Sequence, residues 1–227
     1  MNYISGLSTL VTFVFTYAVF RRYHLKGGTH LLFWAVGLLL YGLGTLSELI
    51  LSFTFNEMIL KLWYLTGAML TAAWLGQGSI QLLVRKHNWA RILAYVLVAV
   101  SVLSLLLIFS APLTGAEASY NVAGTASGQY KAILTRGGLT IFLTIILNIY
   151  GTLGLVGGAG YSAFLFWRKK VLVGRMMGNL LIAIGALFPA MAGTLVKAGF
   201  VDALYISEFF GAIIMFVGFL SATAGKE

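Results

Sequence analysis

Long apolar runs follow one another from Tyr3 to Thr223, and basic residues collect in every second gap between them. Arg21, Arg22 and Lys26 fill one gap, Arg85, Lys86 and Arg91 another, and Arg168, Lys169, Lys170 and Arg175 a third. The alternate gaps hold Asn56 and Glu57, the stretch from Thr114 to Ser127, and Asp202. Cationic loops stay on the cytoplasmic side of a membrane, so this alternation predicts both a polytopic membrane protein and its orientation.

Crossing the hydrocarbon as a helix takes about 20 apolar residues. On that ruler the chain reads as an all-α bundle of seven transmembrane helices, near 3–20, 31–53, 58–84, 92–111, 139–167, 177–200 and 204–223. They are called the first to seventh spans below. Backbone groups in lipid must be satisfied internally, and a barrel would need alternating side chains instead of continuous runs. The basic gaps place the N-terminus outside and the C-terminus, with Lys226, in the cytoplasm. Arg21 and Arg22 follow the first apolar core where a cleaved signal has its charge in front, so the first span is expected to be retained. A multi-pass protein of a prokaryotic inner membrane fits this pattern.

Composition narrows the function classes. Only 9% of the 227 residues are charged and 60% are hydrophobic, against about 25% charged in a soluble domain. The net charge of +9 would suit nucleic acid, but here it lies in short gaps beside apolar spans, facing anionic headgroups. There is no cysteine, which excludes disulfides, thiolate metal sites and cysteine nucleophiles. One membrane domain, 1–227, accounts for the chain.

The connection at 113–138 is the one long gap. Pro112 ends the fourth span, since proline cannot continue a helix. Extended pieces around Tyr120 and Tyr130, separated by glycines, can close as a hairpin lid across the outer mouth. A mobile small-residue loop is the other reading. Gly154 and Gly158, and Gly174 and Gly178, have the spacing of close helix contacts, expected inside the bundle. Pro189 should bend the sixth span, either as a hinge or as a static kink.

Ionisable groups inside a span need partners or water. Glu48 in the second span, Lys61 in the third, Lys197 in the sixth and Glu208 in the seventh all fall near the outer boundary. The expectation is that Glu48, Lys197 and Glu208 face one another in the outer third, with Trp34, Tyr41, Tyr64 and Tyr205 nearby. Gln77, Gln81, Asn148 and Asn179 would continue a polar path inward. The same residues also read as interhelical hydrogen bonds plus one Glu–Lys tie. Trp63, Tyr64, Trp89 and Trp167 read as interface anchors, and Trp74 as core packing. His24, His30 and His87 lie in or beside inner loops, so no buried metal, haem or Ser-His site is expected. The seventh span has no lysine for retinal, and no phosphate-binding glycine loop is present. No catalytic residue, metal or cofactor is expected.

Trp34 followed by Glu48, together with the seventh-span run from Tyr205 to Leu220 (Tyr-Ile-Ser-Glu-Phe-Phe-Gly-Ala-Ile-Ile-Met-Phe-Val-Gly-Phe-Leu), resembles the seven-helix sensor regions of some bacterial histidine kinases. Stand-alone seven-helix proteins of opsin-like or receptor-like layout belong to the same broad grouping. The likeness covers the membrane region as a pattern, and no kinase or other signalling domain accompanies it up to Glu227. It implies a sensor-type bundle whose output needs a separate membrane or signalling partner. The expected function is therefore a non-enzymatic, sensor- or receptor-like bundle with an outward-facing pocket for a small or lipidic ligand. The alternatives are a small proton-coupled transporter using Glu48, and a structural subunit of a larger membrane complex.

Overall fold

The computed structural model describes residues 2–84, 88–169, 173–197 and 203–224, with side chains over 3–84, 88–169, 174–191 and 204–224. The described residues are helical, without strands, and seven helices are long and apolar enough to cross a membrane. They run Asn2–Lys26, Thr29–Leu51, Glu57–Leu83, Trp89–Ser110, Gly138–Lys169, Val173–Lys197 and Ala203–Thr223.

The first helix continues past its apolar core, so Arg21, Arg22 and Lys26 ride on its last turns. Long basic side chains can reach a headgroup layer from a helix, and nothing there demands a break. Gly27 and Gly28 provide the break, at φ 69° and 104°, where a side chain would be strained.

Six spans close a ring in the order first, second, third, fifth, sixth, seventh, with the seventh returning to the first. The fourth stands outside, against the third and fifth. It is also the most apolar span, at mean hydropathy 2.9. A helix apolar on every side loses nothing by facing lipid, which explains its peripheral place.

Close approach inside the ring depends on missing side chains. A Cβ on Gly76 would lie 2.6 Å from the carbonyl oxygen of Gly151, and one on Gly154 would lie 2.9 Å from that of Gly76. The third and fifth spans thus meet backbone to backbone. A Cβ on Gly211 would lie 2.8 Å from the Gly185 carbonyl oxygen and 2.9 Å from the Pro189 ring, so the sixth and seventh spans also meet closely at Pro189. Gly158 likewise meets Ser79, and Gly174 and Gly178 meet the seventh span.

Two spans contain wide turns: Tyr64–Leu70 in the third and Leu153–Gly157 in the fifth are π-helical. Side chains add donors to carbonyls of the third-span turn. The Thr71 hydroxyl donates to the Thr66 carbonyl (2.7 Å), and the Asn148 amide donates to the Ala68 carbonyl (2.8 Å). π turns of this kind often mark functional regions, and no period in the sequence announces them.

The hairpin expectation fails within 113–138. Glu117–Ser119 is a 3₁₀ turn and Ala126–Ile133 an α-helix, with Leu113 bridged to Leu134. Thr125 caps that helix by accepting from the Gly128 amide (3.0 Å), a local signal that outweighs the β-forming tyrosine at 130. The ends of the segment are stitched by Thr114 N–H to the Ile133 carbonyl (2.9 Å) and Thr135 N–H to the Pro112 carbonyl (3.2 Å). Ile133 and Leu134 are buried. The segment is a packed lid over the end of the bundle opposite Arg21 and Arg22.

Candidate functional site

Glu48 sits one turn before the end of the second span, on the face that carries Tyr41 and Thr45. Gly42 and Gly44 let the first and third spans close on that helix. The first span brings a hydroxyl stripe, Ser5, Ser8, Thr9, Thr12 and Thr16, at helical spacing. Thr9 donates to Thr45 (3.0 Å), and the space beside Gly6 is filled by Leu49. That antiparallel register puts Ser5 and Ser8 within about one turn, roughly 5 Å, of the level of Glu48.

Glu48 is only 2% exposed, and neither of its carboxylate oxygens has a hydrogen-bond partner. The Tyr205 hydroxyl faces it without closing a bond of normal geometry. Glu208, one turn further along the seventh span, is a charged group that acts on it, and Glu208 Oε2 is also buried and unpartnered. The Tyr41 hydroxyl is committed to the Glu208 backbone carbonyl (2.8 Å). The Ser8 hydroxyl is fully buried and has no partner. The helix dipoles act unequally here. Glu48 lies at the negative end of its helix and Glu208 near the positive end of its own.

The lid covers this group. The Tyr120 hydroxyl donates to the Leu51 carbonyl (3.2 Å), and its ring packs on Phe55 (5.1 Å between centroids). Burial pushes the Tyr120 hydroxyl up to about 12, with the Glu48 carboxylate adding to the rise. Beside it, the Arg136 guanidinium lies over Tyr130 (4.7 Å to the centroid) and Tyr64 (5.8 Å). Burial raises the Tyr130 hydroxyl, and Arg136 opposes that rise.

The expected cluster is thus divided. Glu48, Glu208, Tyr41 and Tyr205 come together. The side chain of Lys197 lies outside those described. Trp34 does not join them: it is 14 residues from Glu48, about 21 Å along the helix axis. Its indole instead lines a cavity of ≈ 30 Å³ in the half of the ring nearer Arg21 and Arg22, with Phe15, Leu38, Leu75, Ile182 and Met215 among the neighbours. A void so lined stays dry. Tyr64 is buried under the lid, sharing a hydrogen bond with Thr144 (3.0 Å). Trp63 is buried there too, so neither is an interface anchor, whereas Trp89 and Trp167 are exposed. Lys61 pairs with Glu57 (2.6 Å) and donates to the Phe109 carbonyl (3.2 Å), closing the end of the fourth span. Trp74 packs in the core, donating to Ser101 (3.1 Å).

The inward polar path is also absent among these side chains, because each is spent locally. Gln77 and Gln81 both donate to the Ala90 carbonyl (2.7 and 3.0 Å), and Tyr150 donates to Gln77. Asn148 donates to the Ala68 and Thr144 carbonyls. Asn179 donates to the Arg175 carbonyl (2.8 Å). Sequence reading missed the stripe from Ser5 to Thr16, although its i, i+3, i+4 spacing is visible. It also missed the link between Tyr120 and Glu48, which no local pattern announces. Compared with family models, with curated proteins and with solved structures, the chain matches none.

Proposed function

We propose that this chain is a non-enzymatic, sensor- or receptor-like membrane bundle that takes a small ligand at Glu48 and Glu208, beneath the 113–138 lid. The lid end faces outward and the basic end faces the cytoplasm, as the charge pattern implies. The observation that carries the reading is Glu48, buried inside a span with both carboxylate oxygens unpartnered. Leaving such a group in place costs stability, so retaining it argues for use. Output from a bundle of this kind passes to a separate protein.

A transporter using Glu48 requires polar groups leading to the other face. The committed amides of Gln77, Gln81 and Asn148, and the apolar centre around Leu38, Leu75 and Met215, weigh against it. The test is extraction and identification of small molecules retained by the purified protein, for wild type and Glu48→Gln. The proposal expects a molecule present in the first and missing from the second, with thermal stability kept. Gradient-driven uptake by proteoliposomes would replace it with transport, and stoichiometric co-purifying subunits would replace it with a structural role. A Glu48→Gln protein that loses stability and still retains the molecule would return Glu48 to an ordinary helix tie.

A further inference from the structure

Donors and acceptors around Glu48 do not balance. Three carboxylate oxygens are buried and unpartnered: both of Glu48, and Oε2 of Glu208. Of the hydroxyls facing them, Tyr41 is spent on the Glu208 carbonyl and Tyr120 on the Leu51 carbonyl. The Tyr205 hydroxyl faces Glu48, and the buried Ser8 hydroxyl, at the same level, has no partner. The charged and titratable groups facing the pair are Tyr41 from the second span, Tyr205 from the seventh and Tyr120 from the lid. Lys197 in the sixth span lies outside the described side chains. Among the described residues, then, the site holds oxygen acceptors in excess and no cation.

What such a site lacks is positive charge in a small volume. Two carboxylates holding one proton and one monovalent cation are together neutral, the state that a low-dielectric interior tolerates. Carboxylate and hydroxyl oxygens suit a hard cation. Calcium takes about six to eight oxygens and magnesium keeps several waters, more than a lidded apolar site supplies. No set of three His, Cys, Asp or Glu stands together among the described residues to hold a transition metal. We infer that the Glu48–Glu208 pair binds a hard monovalent cation of the sodium type, with the Ser8 and Tyr205 hydroxyls as additional oxygen ligands and Tyr120 closing the site. The inference rests on the ligand-site reading for the position of the site.

The test is carbodiimide labelling of the intact wild-type protein in detergent, read by mass spectrometry at Glu48 and Glu208. Dicyclohexylcarbodiimide adds to protonated carboxyls in apolar sites, so a cation that displaces a proton protects the carboxylate it binds. Sodium chloride, against choline chloride at equal ionic strength, should slow labelling of that carboxylate about tenfold at about ten times the dissociation constant. Less sodium should be needed at higher pH, since the cation displaces a proton. Ser8→Ala should raise the sodium needed for half-protection. Equal rates in sodium and choline would mean a shared proton only and overturn the inference, as would better protection by calcium. Protection appearing only in Lys197→Met would assign the charge to Lys197 and overturn it too. Failure of sodium alongside a co-purified molecule that Glu48→Gln still strips would leave the ligand site standing without this cation. Failure of both, with Glu48→Gln silent, would remove the site as well.

Discussion

Two sets of polar side chains lie within the spans, and they use their hydrogen-bonding capacity in opposite ways. Between the third, fourth and fifth spans, Gln77, Gln81, Asn148 and Tyr150 spend donors and acceptors on one another or on backbone carbonyls. Between the first, second and seventh spans, Glu48, Glu208 and Ser8 keep buried oxygens unspent. In the first set Asn148 reaches a π turn, at the Ala68 carbonyl, while Gln77 and Gln81 hold the start of the fourth span at the Ala90 carbonyl. The second sits under the lid. Polarity inside a membrane therefore separates into structural and available groups by what each atom touches, and residue type does not distinguish them.

The largest expected effect tests the frame that holds the spent set together. Gly151→Ala puts a Cβ against the backbone of the third span at Ala72 and Ala73, and overpacking of that kind should cost about 3 kcal/mol. Denaturation in detergent measures it, and a loss near zero would mean that the third and fifth spans slide apart freely. Next comes Gln77→Leu, which leaves the Tyr150 hydroxyl without its acceptor and removes one of the two amides on the Ala90 carbonyl. A loss of about 2 kcal/mol is expected. An unchanged melting temperature would erase the distinction between the two sets.

Tyr120→Phe removes the lid's single bond to the Leu51 carbonyl and should cost about 1 kcal/mol. The readout is faster amide exchange confined to the lid and the end of the second span. The same hydroxyl gives a pH test. Its folded value, about 12, lies above the ordinary value of 10.0, so its contribution is complete below about pH 10 and is lost as pH rises through about 12. Wild type should show this loss of lid protection and Tyr120→Phe should not. The smallest expected effect on stability is at Glu48. Glu48→Met removes unpartnered acceptors and should leave the melting temperature unchanged or raised, while abolishing ligand retention. A fall as large as that of Gln77→Leu would show Glu48 to be a tie after all.

Much of this molecule is legible in the sequence because a membrane helix is a local object. Span number and approximate extent follow from apolar length, and the gathering of Arg21, Arg22, Arg91, Arg168 and Arg175 at one end follows from their places between runs. Each span satisfies its own backbone, so neighbours are not needed to recognise it. Glu48 was visible for the same reason: a carboxylate inside an apolar run stands out alone. The tertiary structure decided what surrounds it. Trp34 shares a stripe with Glu48 yet lies about 21 Å away, because a helical face has length as well as direction. Gln77 and Asn148 looked like steps of a path and became ties to the Ala90 and Ala68 carbonyls, since which carbonyl lies within reach is decided only when helices meet. Tyr120, some seventy positions from Leu51, reaches it through a lid whose fold is set by Thr125 capping one short helix. Which oxygens stay unspent depends on every neighbour at once, and only packing determines that.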